Sequence, residues 1–274
     1  MGYNNYEISE DQGSPVELYE FSFQGTTYYY TSGESDFEYN TRTYTAESIG
    51  RTEIEETGDL PKNDLTLTVP YNFPVALLFR VAPPSDVVSL IVREIHRADT
   101  IDNEAIVKWR GRVLNARWNE DMTVSLNCEN FLTSMRRTGL RRLYQRQCPH
   151  ILYGAACGLA NTSFAVSAQL TSGGGVSLQS PTFLALGDNY LDGGYVEWEK
   201  SPGSYERRAI RRHVGDTIEI TYPIPGLTSL DTVTVYPGCD HTLDTCRSKF
   251  NNVVNYGGFP YIPQKNPFGG NSVF

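Results

Sequence analysis

The sequence predicts a mainly β chain with few short helices, built as two β-rich domains of barrel- or sandwich-like type, the second clipped by four cysteines. Three observations predict this. The 274 residues are enough for about two independent cores. Tyrosine (18), phenylalanine (12) and glycine (24) are plentiful and methionine (3) is scarce, a composition that favours strands joined by many turns. Apolar and polar residues also alternate in short runs that Gly, Pro, Asn and Asp interrupt.

Residues 16–31 read as a hairpin, with aromatic and β-branched residues on both sides of Gln24-Gly25. The acidic stretch that follows, to about Asn40, reads as a loop. Arg42 to Ala46, Thr52 to Glu56 and Leu65 to Val69 read as strands, punctuated by Pro61 and Asn63, and Val75 to Phe79 as a turn or two of helix. Val87 to Ile95 and Ala105 to Val113 are the next strands. Asn115 to Trp118 and Met122 to Leu126 form a further hairpin around Asn119-Glu120-Asp121. These elements make a first domain, 1–135. The second, 136–274, opens on five arginines within eleven residues (Arg136, Arg137, Arg141, Arg142 and Arg146). They are either a solvated face or cations that offset a thiolate-rich centre or an acidic partner. Strands are expected at Ser163 to Leu170, Val176 to Leu178, Gly194 to Glu199, Arg207 to His213, Thr217 to Tyr222 and Thr232 to Tyr236.

The net charge of −9 argues against a general nucleic-acid-binding surface, which must supply cations to displace phosphate counterions. It is compatible with DNA passing nearby without sticking. No stretch approaches the roughly 18 apolar residues that span a bilayer, so no membrane association is expected. Met1 to Pro15 lacks the apolar core of a secretory signal, which points to assembly in a cytoplasm where thiols stay reduced. Metalloprotease H-E-x-x-H, nucleophile-elbow G-x-S-x-G, Walker and dinucleotide motifs are all missing, so the expectation is a protein that is not an enzyme, with no catalytic residues.

Four of the five cysteines lie in two short segments: Cys148 and Cys157 in a C-x8-C clip, Cys239 and Cys246 in a C-x6-C clip. Three chemistries fit. Each clip can close on itself as a disulfide. A zinc ion can take four thiolates, although zinc knuckles usually have two to four residues between ligands. A cubane [4Fe–4S] cluster accepts ligands from wider loops, and the spacing favours it. His150 and His241 lie inside the clips, where they can hydrogen-bond a sulfur, replace a ligand or simply be polar loop residues. His96 and His213 read as surface or satisfied core residues, and Cys128 as a small buried apolar side chain. Phe250 to Pro263, with three asparagines, Gly257-Gly258 and aromatics, reads as a fixed lid over the centre or as an ordinary closing loop.

The C-P-H-x-L-Y-G-x-x-C clip, the later C-x6-C and the F-x-N-x-x-N-Y-G-G-F-P-Y-I-P run resemble the baseplate hub, or tail-tip, proteins of long-tailed phages and gene transfer agents. The clip spacings are similar to those of the iron–sulfur tail-tip protein of phage lambda. The resemblance covers about 136–263 and extends to Trp109-Arg-Gly-Arg-Val113 in the first domain. It implies a structural virion protein of the tail tip, with 1–135 as the hub- or tube-like domain. It implies a [4Fe–4S] cofactor held by Cys148, Cys157, Cys239 and Cys246. The implied partners are other tail proteins: the distal tail or tube protein, a tail-tip or fibre protein and the tape measure. The implied assembly is a homo-trimeric ring. Asn266 to Phe274 is then either a free tail or an arm on a neighbouring subunit.

Overall fold

The structure is a computed structural model that describes residues 3–10, 13–54, 63–99, 103–136 and 143–263. The chain divides into two compact units, Met1–Arg137 and Thr138–Phe274. Three of the sequence expectations fall outside the described residues: the end of the 52–56 strand, Arg137 with Arg141 and Arg142, and the 266–274 segment.

In the first unit, β1 (Pro15–Phe23) and β2 (Thr26–Thr31) form the expected hairpin. Gln24 and Gly25 at its tip both take positive φ, the backbone that a tight hairpin turn needs. The acidic stretch after it is not all loop: β3 (Phe37–Tyr39) pairs with β4 (Arg42–Ala46). Phe37 and Tyr39 face one way and Glu38 the other, so the pair is held by alternate residues of a stretch whose charge reads as coil. Thr52 to Glu56 is not a strand where it is described. Only β5 (Gly50–Arg51) precedes it, against β6 (Leu65–Pro70), with the Thr52 amide still donating to the Thr66 carbonyl.

A single turn of helix, α2 (Pro74–Leu77), follows, and a short helix α1 (Tyr3–Glu7) precedes the sheet. The 105–113 and 115–118 strands are one element, β8 (Ile106–Trp118). It lies between β7 (Val88–His96) and β9 (Thr123–Asn130), and a register shift between Val113 and Asn115 disguises its continuity. Among the described residues the strand order is β3-β4-β2-β1-β7-β8-β9-β6-β5, antiparallel except for β2 with β4.

The core of this unit is built by period-2 burial, as in Leu65, Leu67 and Val69 of β6 and Val124, Leu126 and Cys128 of β9. Cys128 is the buried small residue expected, and burial pushes its thiol up to about 12. His96 is also a core residue. Its Nδ1 accepts from the Ser14 amide at 3.2 Å and its Nε2 lies 3.1 Å from Glu7, with Tyr3 and Tyr6 against the ring. These contacts fasten α1 to β7.

Trp109 explains the W-R-G-R-V run. Its Nε1 donates to the buried Asn63 carbonyl at 2.8 Å, and its ring lies over Gly111. A methyl at Gly111 would fall inside both that ring and the Glu129 carbonyl oxygen. Gly111→Ala is therefore expected to destabilise the first unit by about 2–3 kcal/mol. Urea denaturation followed by tryptophan fluorescence checks this; a loss under about 0.5 kcal/mol, the range of an inert surface change, would refute it.

The second unit holds β10 (Val166–Gln169), β11 (Ser177–Gln179), β12 (Tyr195–Ser201), β13 (Ser204–Val214), β14 (Thr217–Ile220) and β15 (Thr232–Tyr236). Their order is β10-β15-β12-β13-β14-β11 among the described residues. The expected strand from Ser163 begins later, because Asn161–Phe164 is a 3-10 turn. Two short helices escaped the sequence reading, α3 (Pro181–Leu184) and α4 (Leu243–Ser248). Each starts at a residue whose hydroxyl accepts an amide of the first turn, Ser180 and Thr242 respectively. Val196, Ile210, Ile218 and Val235 centre the core. His213 is fully buried in this unit, its Nε2 facing the Phe183 and Gly215 carbonyls at 3.2 Å each.

Candidate metal centre

Neither cysteine clip is regular sheet. Cys148 sits in an extended loop and Cys157 in the turn that ends the first clip; Cys239 follows β15 by three residues and Cys246 lies on α4. The first clip is anchored by Tyr153, a residue with positive φ whose hydroxyl donates to the Pro237 carbonyl at 2.8 Å. Its ring meets Tyr195, Tyr236, Phe164 and Phe250, with centroids 6.1–6.4 Å apart. The clip is thereby seated on β12 and β15, next to the start of the second clip.

All four clip cysteines line one cavity, with Leu152, Leu159 and Phe250 among its other walls and the residues His150 and His241 beside them. The enclosed void is about 20 Å³, and the free space between the walls, mouth included, is about 350 Å³. The four thiols are free and partly buried. Burial is the main reason that Cys239 and Cys246 are pushed above the usual thiol range. The other clip sulfurs add to the rise at both, while the His241 amide partly offsets it at Cys239. At Cys239 and Cys246 a bound cation would offset this resistance to ionisation.

The hydrogen bonds fit the same role. The His241 amide reaches Cys239 Sγ at 3.3 Å and the Gly257 amide reaches Cys148 Sγ at 3.4 Å. The Cys148 amide donates to the His241 carbonyl at 2.9 Å, joining the clips directly. Among the described residues no three His, Cys, Asp or Glu side chains converge closely enough to hold a single metal ion. One tetrahedral ion draws its sulfurs to about 2.3 Å from a common point, whereas a cubane places them further apart around a larger body. The four cysteines line a shared cavity, and this geometry does not choose between the two kinds of centre.

Phe250, Asn252 and Asn255 of the 250–263 stretch line this cavity, and the stretch has one 3-10 turn at Val253–Asn255. The double glycine has a steric cause. A methyl at Gly257 would lie 2.5 Å from the His150 ring, and one at Gly258 would fall inside the Arg146 carbonyl oxygen. The lid is fastened by Tyr256, whose hydroxyl donates to the Arg146 carbonyl at 2.7 Å, and by the Phe259 amide to the Gln145 carbonyl at 2.8 Å. His150 Nδ1 is 3.1 Å from the Asn255 carbonyl, so one ring nitrogen faces the lid backbone.

Three contributors were missed by the sequence reading. Tyr153 and Asn252 stand inside the motifs it quoted, but were given no role. Lys249, at the end of α4, donates to the Gly238 carbonyl at 2.7 Å and to the Tyr190 carbonyl, with its ammonium over the Tyr190 ring. A helix-terminal lysine close to a glycine-cysteine pair is the signal available in sequence.

Residues 189–266, which include the second clip and the double glycine, match a family model described as "Phage conserved hypothetical protein BR0599". That segment is similar to a family of phage proteins. The chain is 27% identical over 176 residues to an uncharacterized protein of Xylella fastidiosa (strain 9a5c), a match covering 60% of this chain and 36% of that protein. The aligned part is thus about a third of the length of that curated relative. The fold is that of a chain in a structure described as "Virion of native gene transfer agent (GTA) particle". The TM-score is 0.74 at 18% identity, covering 100% of this chain and 99% of that one. The phage-related resemblance read from the motifs stands on these matches.

Proposed function

We propose that this protein is a structural, non-enzymatic component of a phage-type virion, placed at the baseplate hub or tail tip. In this reading Cys148, Cys157, Cys239 and Cys246 hold a [4Fe–4S] cluster that fastens the second unit. The observation that carries it is the facing of four cysteines from two distant clips onto one cavity, in a chain that shares its fold end to end with a gene transfer agent virion chain. When bound, such a cluster supplies a cross-link between remote segments. With all four irons held by cysteine, no iron is left open to a substrate, which favours a fastener over a catalyst.

The partners in this reading are neighbouring tail proteins: the distal tail or tube protein, a tail-tip or fibre protein and the tape measure, with copies of the chain closing a trimeric ring. Edge strands β3 and β5 of the first sheet, and β10 and β11 of the second, carry backbone groups that a neighbour could pair with. The acidic chain suits a channel wall along which DNA slides without binding.

Anaerobic purification with iron, sulfide and absorbance analysis tests the centre. About four iron and four sulfide per chain, with visible cluster absorbance, are expected. One zinc per chain would replace the cluster by a zinc site. A single reactive thiol in the denatured, unreduced chain would favour paired disulfides instead.

A further inference from the structure

We propose that Asn252 is the positioning residue of the cysteine site, the side chain that sets one clip against the other before any metal is bound. The inference deepens the reading of the four cysteines as a single site and rests on it only to that extent. Asn252 is buried, and each of its polar groups is committed. Its amide donates to the Cys246 carbonyl at 2.9 Å, and the Cys246 thiol lies 3.3 Å from its own carbonyl. Its Nδ2 donates to the Cys157 carbonyl at 2.7 Å and stands 3.7 Å from Cys157 Sγ. Its Oδ1 accepts from Asn255 Nδ2 at 2.8 Å, while the bond that bears on the clip is the one from Nδ2 to Cys157.

One residue thus touches a cysteine of each clip, 89 positions apart in the chain (246 − 157), through groups that involve no metal. The preceding Asn251 takes φ 47°, which turns the chain back from α4 onto the cavity. Only a carboxamide satisfies this site. Aspartate has the same shape, but would present an oxygen to the Cys157 carbonyl and sulfur, two acceptors facing a third. The cost of burying an unsatisfied group would then fall on the contact between the clips.

The test uses the full-length, reduced, metal-free chain and dibromobimane, a reagent that bridges two nearby thiols, with peptide mapping of the Cys157–Cys246 cross-link. The wild-type chain is expected to form this cross-link. Asn252→Asp is expected to slow it about tenfold, the factor that corresponds to one hydrogen bond of ordinary net strength, while the circular dichroism of the sheet is kept. Asn255→Ala leaves both cysteine contacts in place and is expected to stay within about twofold of wild type. If Asn252→Asp does not fold, Asn252→Ser, which keeps the main-chain bonds to Cys246, carries the same expectation. Cross-linking of the folded Asn252 variants at the wild-type rate, or slowing by Asn255→Ala to the same extent, would overturn the proposal. Absence of iron from the natural chain would remove the cluster and leave this result standing.

Discussion

With the proposed cluster in place, Cys239→Ser and Cys246→Ser are each expected to abolish iron retention and to lower the stability of the second unit by several kcal/mol, while the first unit unfolds as in the wild type. The size follows from linkage. The binding energy of a structural metal centre is also folding energy, of order 10 kcal/mol for thiolate-rich zinc sites, and a neutral serine hydroxyl does not replace a thiolate. Whole domains are stable by about 5–15 kcal/mol, so the loss of one ligand is a large fraction of the total. Its effect should be local first. The sheet core around Val196, Ile210 and Val235 contains no cysteine, whereas the clips rest on loop, a single short helix and the 250–263 stretch. Limited proteolysis should therefore cut within 143–160 and 237–263 before the sheet opens. Cys128→Ser is the control. It lies in β9 of the first unit, 2% exposed, where an added hydroxyl costs about 1–3 kcal/mol and should leave the iron untouched. Full stability and normal iron content in both clip variants would make the cluster dispensable.

Much of the fold was legible because strands write a period of two into the sequence. The 16–31 hairpin, Arg42 to Ala46, Leu65 to Val69 and Thr232 to Tyr236 were placed within a residue or two. The misses have physical causes. β3 hides in an acidic stretch because a three-residue edge strand needs only Phe37 and Tyr39 on one face, and the surrounding charges dominate its composition. β8 looked like two strands because its bulge near Leu114 breaks the alternation without breaking the pairing. Helices α3 and α4 have four and six residues, too few for a 3.6-residue period to show, so only their capping hydroxyls announce them.

The cysteines that line the candidate cavity were legible in the sequence, and their supports were not. Cysteine type and spacing marked Cys148, Cys157, Cys239 and Cys246, and the structure brings all four to one cavity. Tyr153, Lys249 and Asn252 work through main-chain carbonyls of residues far away in sequence: Pro237, Gly238 and Cys157. A carbonyl acceptor has no residue type, so no sequence pattern can name it. The double glycine stood out in the sequence as a pair that would permit positive φ, but neither residue takes it; its cause, the ring of His150 and the backbone at Arg146, required the tertiary structure.

Gly238→Ala is expected to cost about 3 kcal/mol or more while leaving the cysteines intact. The residue stands where the chain leaves β15 and passes against the entry to β12. A methyl there would fall inside the Asp192 carbonyl oxygen, the Gly193 carbonyl carbon and the Gly194 nitrogen. All three are backbone atoms, so no flexible side chain can yield. The neighbouring segment is itself fixed, since Gly193 donates to the Ile210 carbonyl at 3.1 Å and Gly194 to Leu191 at 2.9 Å. Relief would come from moving Gly238 outward, which drags Cys239 and pulls the carbonyl away from Lys249. The variant should therefore lose iron as well as stability, although no ligand has been changed. Gly203→Ala separates this from a general cost of replacing glycine. Its φ of 81° strains an alanine, but nothing lies within 4 Å of the added carbon, and it should cost only about 1 kcal/mol with the iron retained. Denaturant midpoints at constant slope measure both losses, and iron per chain measures the second consequence. A Gly238→Ala protein that is destabilised yet keeps its iron would show that Cys239 is held by its own loop, through the His241 amide, independently of the strand that leads into it.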